Sequence, residues 1–458
     1  MHCRCVDLGR CPELRISEPM KPQLALTGLV ALWPALNAQT QAPPPRPHVV
    51  VIVSDDAGYA DFSAQGAADI KTPRIDSIAA EGVRCTNGYV SGAVCSPSRA
   101  GLMTGRYQQR FGHELNIPPR FSEENGLPLS ERTFADELRS VGYRTIALGK
   151  WHLGYADKFH PLSRGFEHYW GFLQGARSYF PLKKPTRLNR LLEDREVQPE
   201  NFVYMTDALG RRAARYIKDR GEEPLFVYLA YNAVHTPMHA TEADLEGLSG
   251  TERRQKLIAM THALDRSVGY VLDALEEEGI ADDTLVFFLN DNGGATNNAS
   301  DNGPLRGRKG SVWEGGIRVP FYVRWRAGLP KGAVYEQPVI ALDLLPSCAA
   351  AAGAEVSGPL PLDGVDLQPH LRGDRKEPPH ADLYWRHGDK WAIRSGRWKL
   401  LQQDGEAPQL YDLEGDVGEQ RDLAAAQTER AAELLSRYET WAAQLQPPRW
   451  RFRKQRRK

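Results

Sequence analysis

Residues 48–56 read HVVVIVSDD, a run of β-branched side chains that ends on two adjacent carboxylates. A run with no polar alternation is what a strand buried on both faces requires, as in a parallel sheet. Four further stretches have the same texture: YRTIALGK at 143–150, PLFVYLAYNAVH at 224–235, TLVFFLNDNGG at 284–294 and VPFYVRW at 319–325. Helical patterns lie between them. The clearest covers about 252–278, where Leu257, Leu264, Val268, Val271, Leu272 and Leu275 recur at helical spacing among charged residues. Others fall at roughly 130–141, 206–219 and 342–352. Strands alternating with helices predict an α/β fold, a large, mostly parallel sheet sandwiched by helices, over 47–375. From about residue 376 the texture changes. ADLYWRHGDKWAIRSGRWKLLQQ and PQLYDLEGD read as short antiparallel strands with Gly-containing turns, followed by a helix at about 423–445. A smaller C-terminal α+β subdomain is therefore expected over 376–446.

Composition excludes several classes. The 458 residues carry 58 Lys+Arg against 58 Asp+Glu, which fits neither a basic nucleic-acid coat nor a polyacidic disordered chain. The hydrophobic share of 41%, with 10 Trp, 17 Tyr and 14 Phe, is ample for a core. Charge is uneven, because seven of the last ten residues are Arg or Lys, leaving −7 on the rest. The basic tail, 447–458, reads as a solvated end, with a polyanion anchor as the functional alternative; nucleic-acid binding is disfavoured. No run reaches the roughly 18–20 apolar residues of a transmembrane helix. Leu24–Leu36, preceded by Met20-Lys21 and followed by small residues, reads as a secretory signal peptide over 20–42. Residues 1–19 then read as an over-extended gene start, and the product as exported, to a periplasm or beyond. Cys3, Cys5 and Cys11 fall in that segment. Cys85, Cys95 and Cys348 remain, too few for a disulfide framework.

Four strand candidates end in polar clusters: Asp55-Asp56, Lys150-Trp151-His152, His235 and Asp291-Asn292. The carboxyl ends of parallel strands share one edge, where ligands bind, so these residues converge on one pocket. Each cluster alone reads equally well as a turn or a helix cap. Four at one edge do not. Asp55, Asp56, Asp291 and Asn292 offer only hard oxygen ligands, which favours Ca2+, with Mg2+ the alternative, over zinc. Lys150, His152, His235 and Lys309 add cations and proton donors that suit an anionic group such as sulfate or phosphate. His235 and His239, in HTPMH, read equally as ordinary loop histidines.

The nucleophile must come from elsewhere. The segment from Cys95 to Arg106 reads CSPSRAGLMTGR. A thiolate-phosphatase loop fails here because position 101 is Gly, and a bare thiol partners poorly with a hard metal. Ser96 and Ser98 have no His or Lys close by in sequence, although folding could bring one in. Cys-Ser-Pro-Ser-Arg followed by AGLMTGR resembles the signature of the formylglycine-dependent type I sulfatases of the alkaline-phosphatase-like superfamily. VSDDAGYAD, ALGKWHLG, HTPMHA, NDNGG, GRKGSVWEGGIRVPF and LYDLEGD follow in family order, so the resemblance runs from about residue 46 to about 425.

The resemblance implies a sulfuric ester hydrolase in which a maturation enzyme oxidises Cys95 to formylglycine (3-oxoalanine) before folding. It implies Ca2+ held by Asp55, Asp56, Asp291 and Asn292 and by one oxygen of the converted Cys95. It further implies that Arg99 and Lys150 hold the hydrated aldehyde, that Lys309 binds sulfate, that His235 with Lys309 protonates the leaving oxygen, and that His152 takes the diol's second proton. A sulfated carbohydrate is the implied substrate. His113, Glu114, Arg120, Arg177 and Lys183 are candidates for recognising it, though each alone reads as surface charge. The rivals are a phosphonate monoester or phosphodiester hydrolase of the same superfamily, and a non-catalytic sulfated-glycan-binding protein. The intact polar set argues against the second.

Overall fold

The computed structural model describes residues 46–356, 360–403 and 405–450. The expected segments 1–19 and 20–42 lie outside the described residues, as does the tail beyond Trp450. The HVVVIVS run forms strand β1 (His48–Ser54) at the centre of a ten-stranded sheet. Beside it lie β2 (Arg144–Lys150), β3 (Leu225–Ala230), β4 (Thr284–Asn290) and β5 (Phe321–Arg324). The central order is β5-β4-β1-β3-β2, followed by His168–Phe172, with every neighbour parallel except β5. β5 runs antiparallel to β4, with Phe321 opposite Leu289. The chain between them makes only a 3-10 turn, Thr296–Asn298, and a four-residue helix, Glu314–Ile317, before re-entering the sheet. Without a full crossover over one face, a strand can only return antiparallel.

Both faces of the sheet are buried, which accounts for the missing alternation in the sequence. Val49, Val51 and Val53 point into one core, and Val50 and Ile52 into the other. The first core lies under helix α1 (Cys95–Thr104), helix α2 (Phe134–Ser140) and helix α5 (Leu344–Ala352). The second lies under α3 (Met205–Lys218) and α4 (Glu252–Glu277). In α4, all six residues that marked the helix in sequence are buried. In α2, the Thr133 hydroxyl accepts from the Asp136 N–H and fixes the start of the helix at Phe134, about four residues after the expected one.

The region after 376 forms a separate four-stranded antiparallel sheet: β6 (Asp382–His387), β7 (Lys390–Ser395), β8 (Trp398–Gln402) and β9 (Gln409–Asp412). The β6–β7 and β7–β8 turns carry Gly388 and Gly396 in the left-handed region, φ +65° and +56°, which two-residue hairpin loops demand. Helix α6 (Thr428–Ala442) packs on this sheet, with Trp441 stacked on Tyr384 and Tyr438 on Trp391. Leu342, Tyr89 and Trp313 join the same core, so this sheet seats directly on the loops at the polar edge of the large one. No helix among the described residues is long and apolar enough to cross a membrane.

Candidate active site

β1, β2, β3 and β4 deliver their polar termini to one edge. The Asp55 N–H donates to Ala233 O at 2.8 Å and the Asp291 N–H to Ser54 O at 3.0 Å, so the turns after β1, β3 and β4 are stitched together. Asp56 and His152 sit at φ +62° and +59°. Left-handed backbone costs a residue with a Cβ about 1–3 kcal/mol and persists where the surroundings over-determine it, commonly at functional sites.

Cys95 opens α1, whose residues are all buried. Its Sγ lies 3.6 Å from Asp55 Oδ1 and 3.2 Å from Lys309 Nζ. Lys309 Nζ also sits 2.6 and 2.8 Å from the two oxygens of Asp56. Lys150 Nζ donates to Asp55 Oδ2 at 2.6 Å. One turn into α1, the Arg99 guanidinium grips Asp291 Oδ2 at 2.9 and 2.8 Å and reaches Lys150 O at 3.2 Å. His235 Nε2 is 3.5 Å from Asp56 Oδ2, and Asn292 Nδ2 donates to Asp56 Oδ1 at 2.8 Å. All ten residues singled out in sequence as catalytic or metal-binding thus lie in or against one cluster.

The electrostatics are those of a crowded buried site. Burial alone would raise Asp55, but Lys150, His235, Arg99 and Lys309 outweigh it and hold the carboxyl well below its usual range. Asp291 moves up, because burial and the neighbouring Asp55 charge prevail over Arg99 and Lys150. Burial pushes the Cys95 thiol up to about 12 despite Lys150 and Lys309, so it is protonated at neutral pH and no thiolate nucleophile. Burial, then Lys150 and Arg99, hold His152 well below its ordinary value and leave it a neutral imidazole able to accept a proton. Its ring lies against Gly175, where a Cβ would come within 2.4 Å of Cε1.

The donor set fits a hard cation. Asp55, Asp56, Cys95 and His235 offer ligand atoms within 4.8 Å of one another. Asp291 Oδ1 and Asn292 Oδ1 are buried with no hydrogen-bond partner, and a cation held between such oxygens would remove that desolvation cost.

Other expectations come out differently. Glu114 accepts from Arg386 on β6 at 2.8 Å and from the Gly388 N–H at 2.9 Å. Arg177 is ion-paired with Glu200 and lies over Phe172 and Phe202. Both hold the fold together, while Arg120 and Lys183 are exposed. His113 is buried and is the histidine that folding brings to Ser96, with Nε2 and Oγ 2.6 Å apart. The Ser96 hydroxyl donates to His152 O at 2.7 Å, so His113 is its donor rather than its base. Burial and Arg449 push His113 down to about 3, which keeps it neutral. Trp450, inside the expected solvated tail, is buried edge-on against His113. Sequence reading missed Gly175, Ser96 as the anchor of His152, and the buried set Glu314, Lys399 and Glu419 behind Lys309.

Comparison with known proteins agrees with this geometry. The family model described as Sulfatase matches residues 47–354, about two thirds of the chain. Arylsulfatase A of Bos taurus is 33% identical over 459 residues, 88% of this chain and 89% of its own. Arylsulfatase J of Mus musculus is 33% identical over 80% of this chain, which spans 64% of that relative's length. The crystal structure of Ps i-CgsB in complex with k-i-k-neocarrahexaose superposes with a TM-score of 0.86 at 36% identity, covering 90% of this chain and 96% of that one. A family match of this extent, on a chain whose buried edge gathers Cys95 and Arg99 of the signature with the carboxylates and lysines around them, means that the protein belongs to the sulfatase family, sulfuric ester hydrolases of the alkaline-phosphatase-like superfamily.

Proposed function

We propose that this sulfuric ester hydrolase is exported, acts on a sulfated carbohydrate and uses a formylglycine made from Cys95 by a maturation enzyme. The observation that carries the reading is the placement of Cys95: a buried, protonated thiol among three carboxylates and three cations, useless as a thiolate and well placed once converted to oxygen. The hydrated aldehyde would supply one hydroxyl to attack sulfur and a second whose proton is lost as sulfate departs. Asp55, Asp56, Asp291 and Asn292 would hold Ca2+, which when bound lowers the pKa of a neighbouring hydroxyl and draws charge from sulfate oxygens.

The chain's own groups do the remaining work. Arg99 and Lys150, anchored on Asp291 and Asp55, hold positive charge beside residue 95 as negative charge develops there. Lys309 binds the sulfate and shares with His235 the protonation of the leaving oxygen. His235 accepts no proton from its neighbour at Nδ1: that nitrogen lies 2.5 Å from the Thr236 carbonyl and must donate. Protonated at Nε2 as well, the ring gives that proton to the leaving oxygen. Neutral His152 takes the diol's second proton.

Support for a carbohydrate comes from Ps i-CgsB, whose structure holds an oligosaccharide. The test is co-expression with a formylglycine-generating enzyme, mass spectrometry of the residue-95 peptide, and sulfate release from defined sulfated oligosaccharides against matched aryl sulfate and aryl phosphonate esters. Sulfate release that follows the converted fraction is expected. Converted, calcium-loaded protein that releases no sulfate, or that prefers the phosphonate, refutes the proposal.

A further inference from the structure

Lys309 is carried by a loop, and its ammonium can serve the sulfate only if that loop is held. The backbone is glycine-rich, with Gly307 and Gly310 at φ +88° and +82°. On the side of the large sheet the Lys309 N–H donates to Gly294 O at 3.1 Å, the Gly310 N–H to Ala93 O at 2.8 Å, Asn302 Nδ2 to Gly307 O at 3.3 Å and Tyr89 Oη to Glu314 Oε2 at 2.6 Å. Further ties come from the far side, from the small sheet and the turn after β9. Lys390 Nζ on β7 donates to Gly310 O at 2.9 Å. Arg306 donates to the Glu419 carbonyl at 2.7 Å, and the Glu314 N–H donates to Glu419 Oε2 at 2.7 Å. Between the two carboxylates lies Lys399 of β8, its Nζ 2.8 Å from Glu314 Oε1 and 2.8 Å from Glu419 Oε1. All three side chains are wholly buried.

Two features make this more than a pairing of convenience. A buried ion triad is weak evidence for stability, since apolar residues of similar volume often serve as well or better; its best-attested use is to fix one geometry among several. Glu419 also sits at φ +51°, a conformation a glutamate keeps only when its surroundings impose it. Its side chain and its carbonyl both reach into the loop, on either side of Lys309, at residues 314 and 306.

We infer that Lys399 and Glu419 are positioning residues for Lys309: the small sheet sets the loop, and through it the place of the ammonium at the sulfate. The inference rests on the proposed role of Lys309 and deepens it.

The test uses matured, calcium-loaded enzyme and a series of aryl sulfates whose leaving groups differ in acidity. Lys309→Ala is measured first, because loss of a proton donor and sulfate ligand should slow poor leaving groups most and steepen the dependence on leaving-group acidity. Glu419→Gln and Lys399→Met are expected to lower kcat about 10–100-fold with the same steepening, as a misplacement of about 1 Å does. The double variant Lys309→Ala/Glu419→Gln should be no slower than Lys309→Ala within about twofold, because both act on one group. Lys390→Met, which leaves the triad intact, should show the same steepening to a smaller degree and stands in if the triad variants do not fold. Unchanged steepness at Glu419, Lys399 and Lys390, or losses that multiply in the double variant, would overturn the inference alone. An unaltered leaving-group dependence in Lys309→Ala would overturn the role of Lys309 and the inference with it.

Discussion

Gly175→Ala perturbs His152 without touching it chemically. A Cβ at position 175 would lie 2.4, 2.6 and 2.7 Å from the imidazole Cε1, Nε2 and Nδ1. Ordinary heavy-atom contact begins at about 3.5 Å, so the ring must retreat by about 1 Å. The backbone cannot absorb this: the His152 N–H is bonded to Leu173 O at 3.1 Å and its carbonyl to Ser96 Oγ at 2.7 Å. The displacement therefore falls on the side-chain torsions, at an overpacking cost of about 1–3 kcal/mol. A proton acceptor moved by about 1 Å should cost about 100-fold in kcat, against about 10²–10⁴-fold for His152→Ala. Because His152 is assigned to the second half of the turnover, the first half should survive. With para-nitrophenyl sulfate, stopped-flow traces of Gly175→Ala should show a burst of one nitrophenol per active site and then slow release. A loss of rate without a burst, or full activity in Gly175→Ala, would refute the assignment of His152.

Other outcomes follow from the same geometry. His235→Ala should slow alkyl sulfates by about 10²–10⁴-fold and activated aryl sulfates far less, measured as kcat/KM across the series; equal losses remove His235 from the donor role. Calcium at about 100 times its Kd should stabilise the protein by about 2.7 kcal/mol, read as a rise in Tm that a chelator reverses and Asp291→Ala abolishes. Burial raises Asp265 from 3.8 to about 6. The folded state therefore favours the neutral acid. The stability this group contributes is complete below its ordinary range and lost as pH rises through about 6, by up to about 3 kcal/mol. Asp265→Asn keeps an acceptor for the Ile75 N–H, 2.8 Å away, and should raise Tm at about pH 7.5 but not at about pH 4. Equal shifts at both would contradict it.

Much of the fold could be read from residue texture because the sheet is buried on both faces. A strand such as Val49–Val53 has no polar side to confuse it with a helix or a surface ribbon. The same burial hid α1. All ten of its residues are inside, with no polar stripe to give a helical period, so CSPSRAGLMT was not among the expected helices. The direction of β5 was left open by a mostly parallel reading; it depends on what the chain does between 291 and 320, which no local pattern encodes. The carboxylates and cations of the site stood out because strand ends are few and polar pairs on them rarer. Glu114 and Arg177 misled for the opposite reason: a charged residue in a loop looks exposed until its partner, Arg386 or Glu200, arrives from elsewhere in the chain. Lys399, Glu314 and Glu419 were invisible in the same way, separated by 85 residues in one pair and 105 in another.

The docking of Trp450 has a consequence for timing. Its indole N–H donates to Leu115 O and Asn116 O at 3.1 and 3.0 Å, and the Asn116 side-chain oxygen accepts from the Ser96 N–H at 2.9 Å. That amide belongs to the residue directly after Cys95. At about 5–20 residues per second, a ribosome needs roughly 20–70 s to travel from position 95 to position 450. During that interval the pocket around His113 lacks its lid, and under the proposed conversion of Cys95 this is the period in which a maturation enzyme would meet the segment.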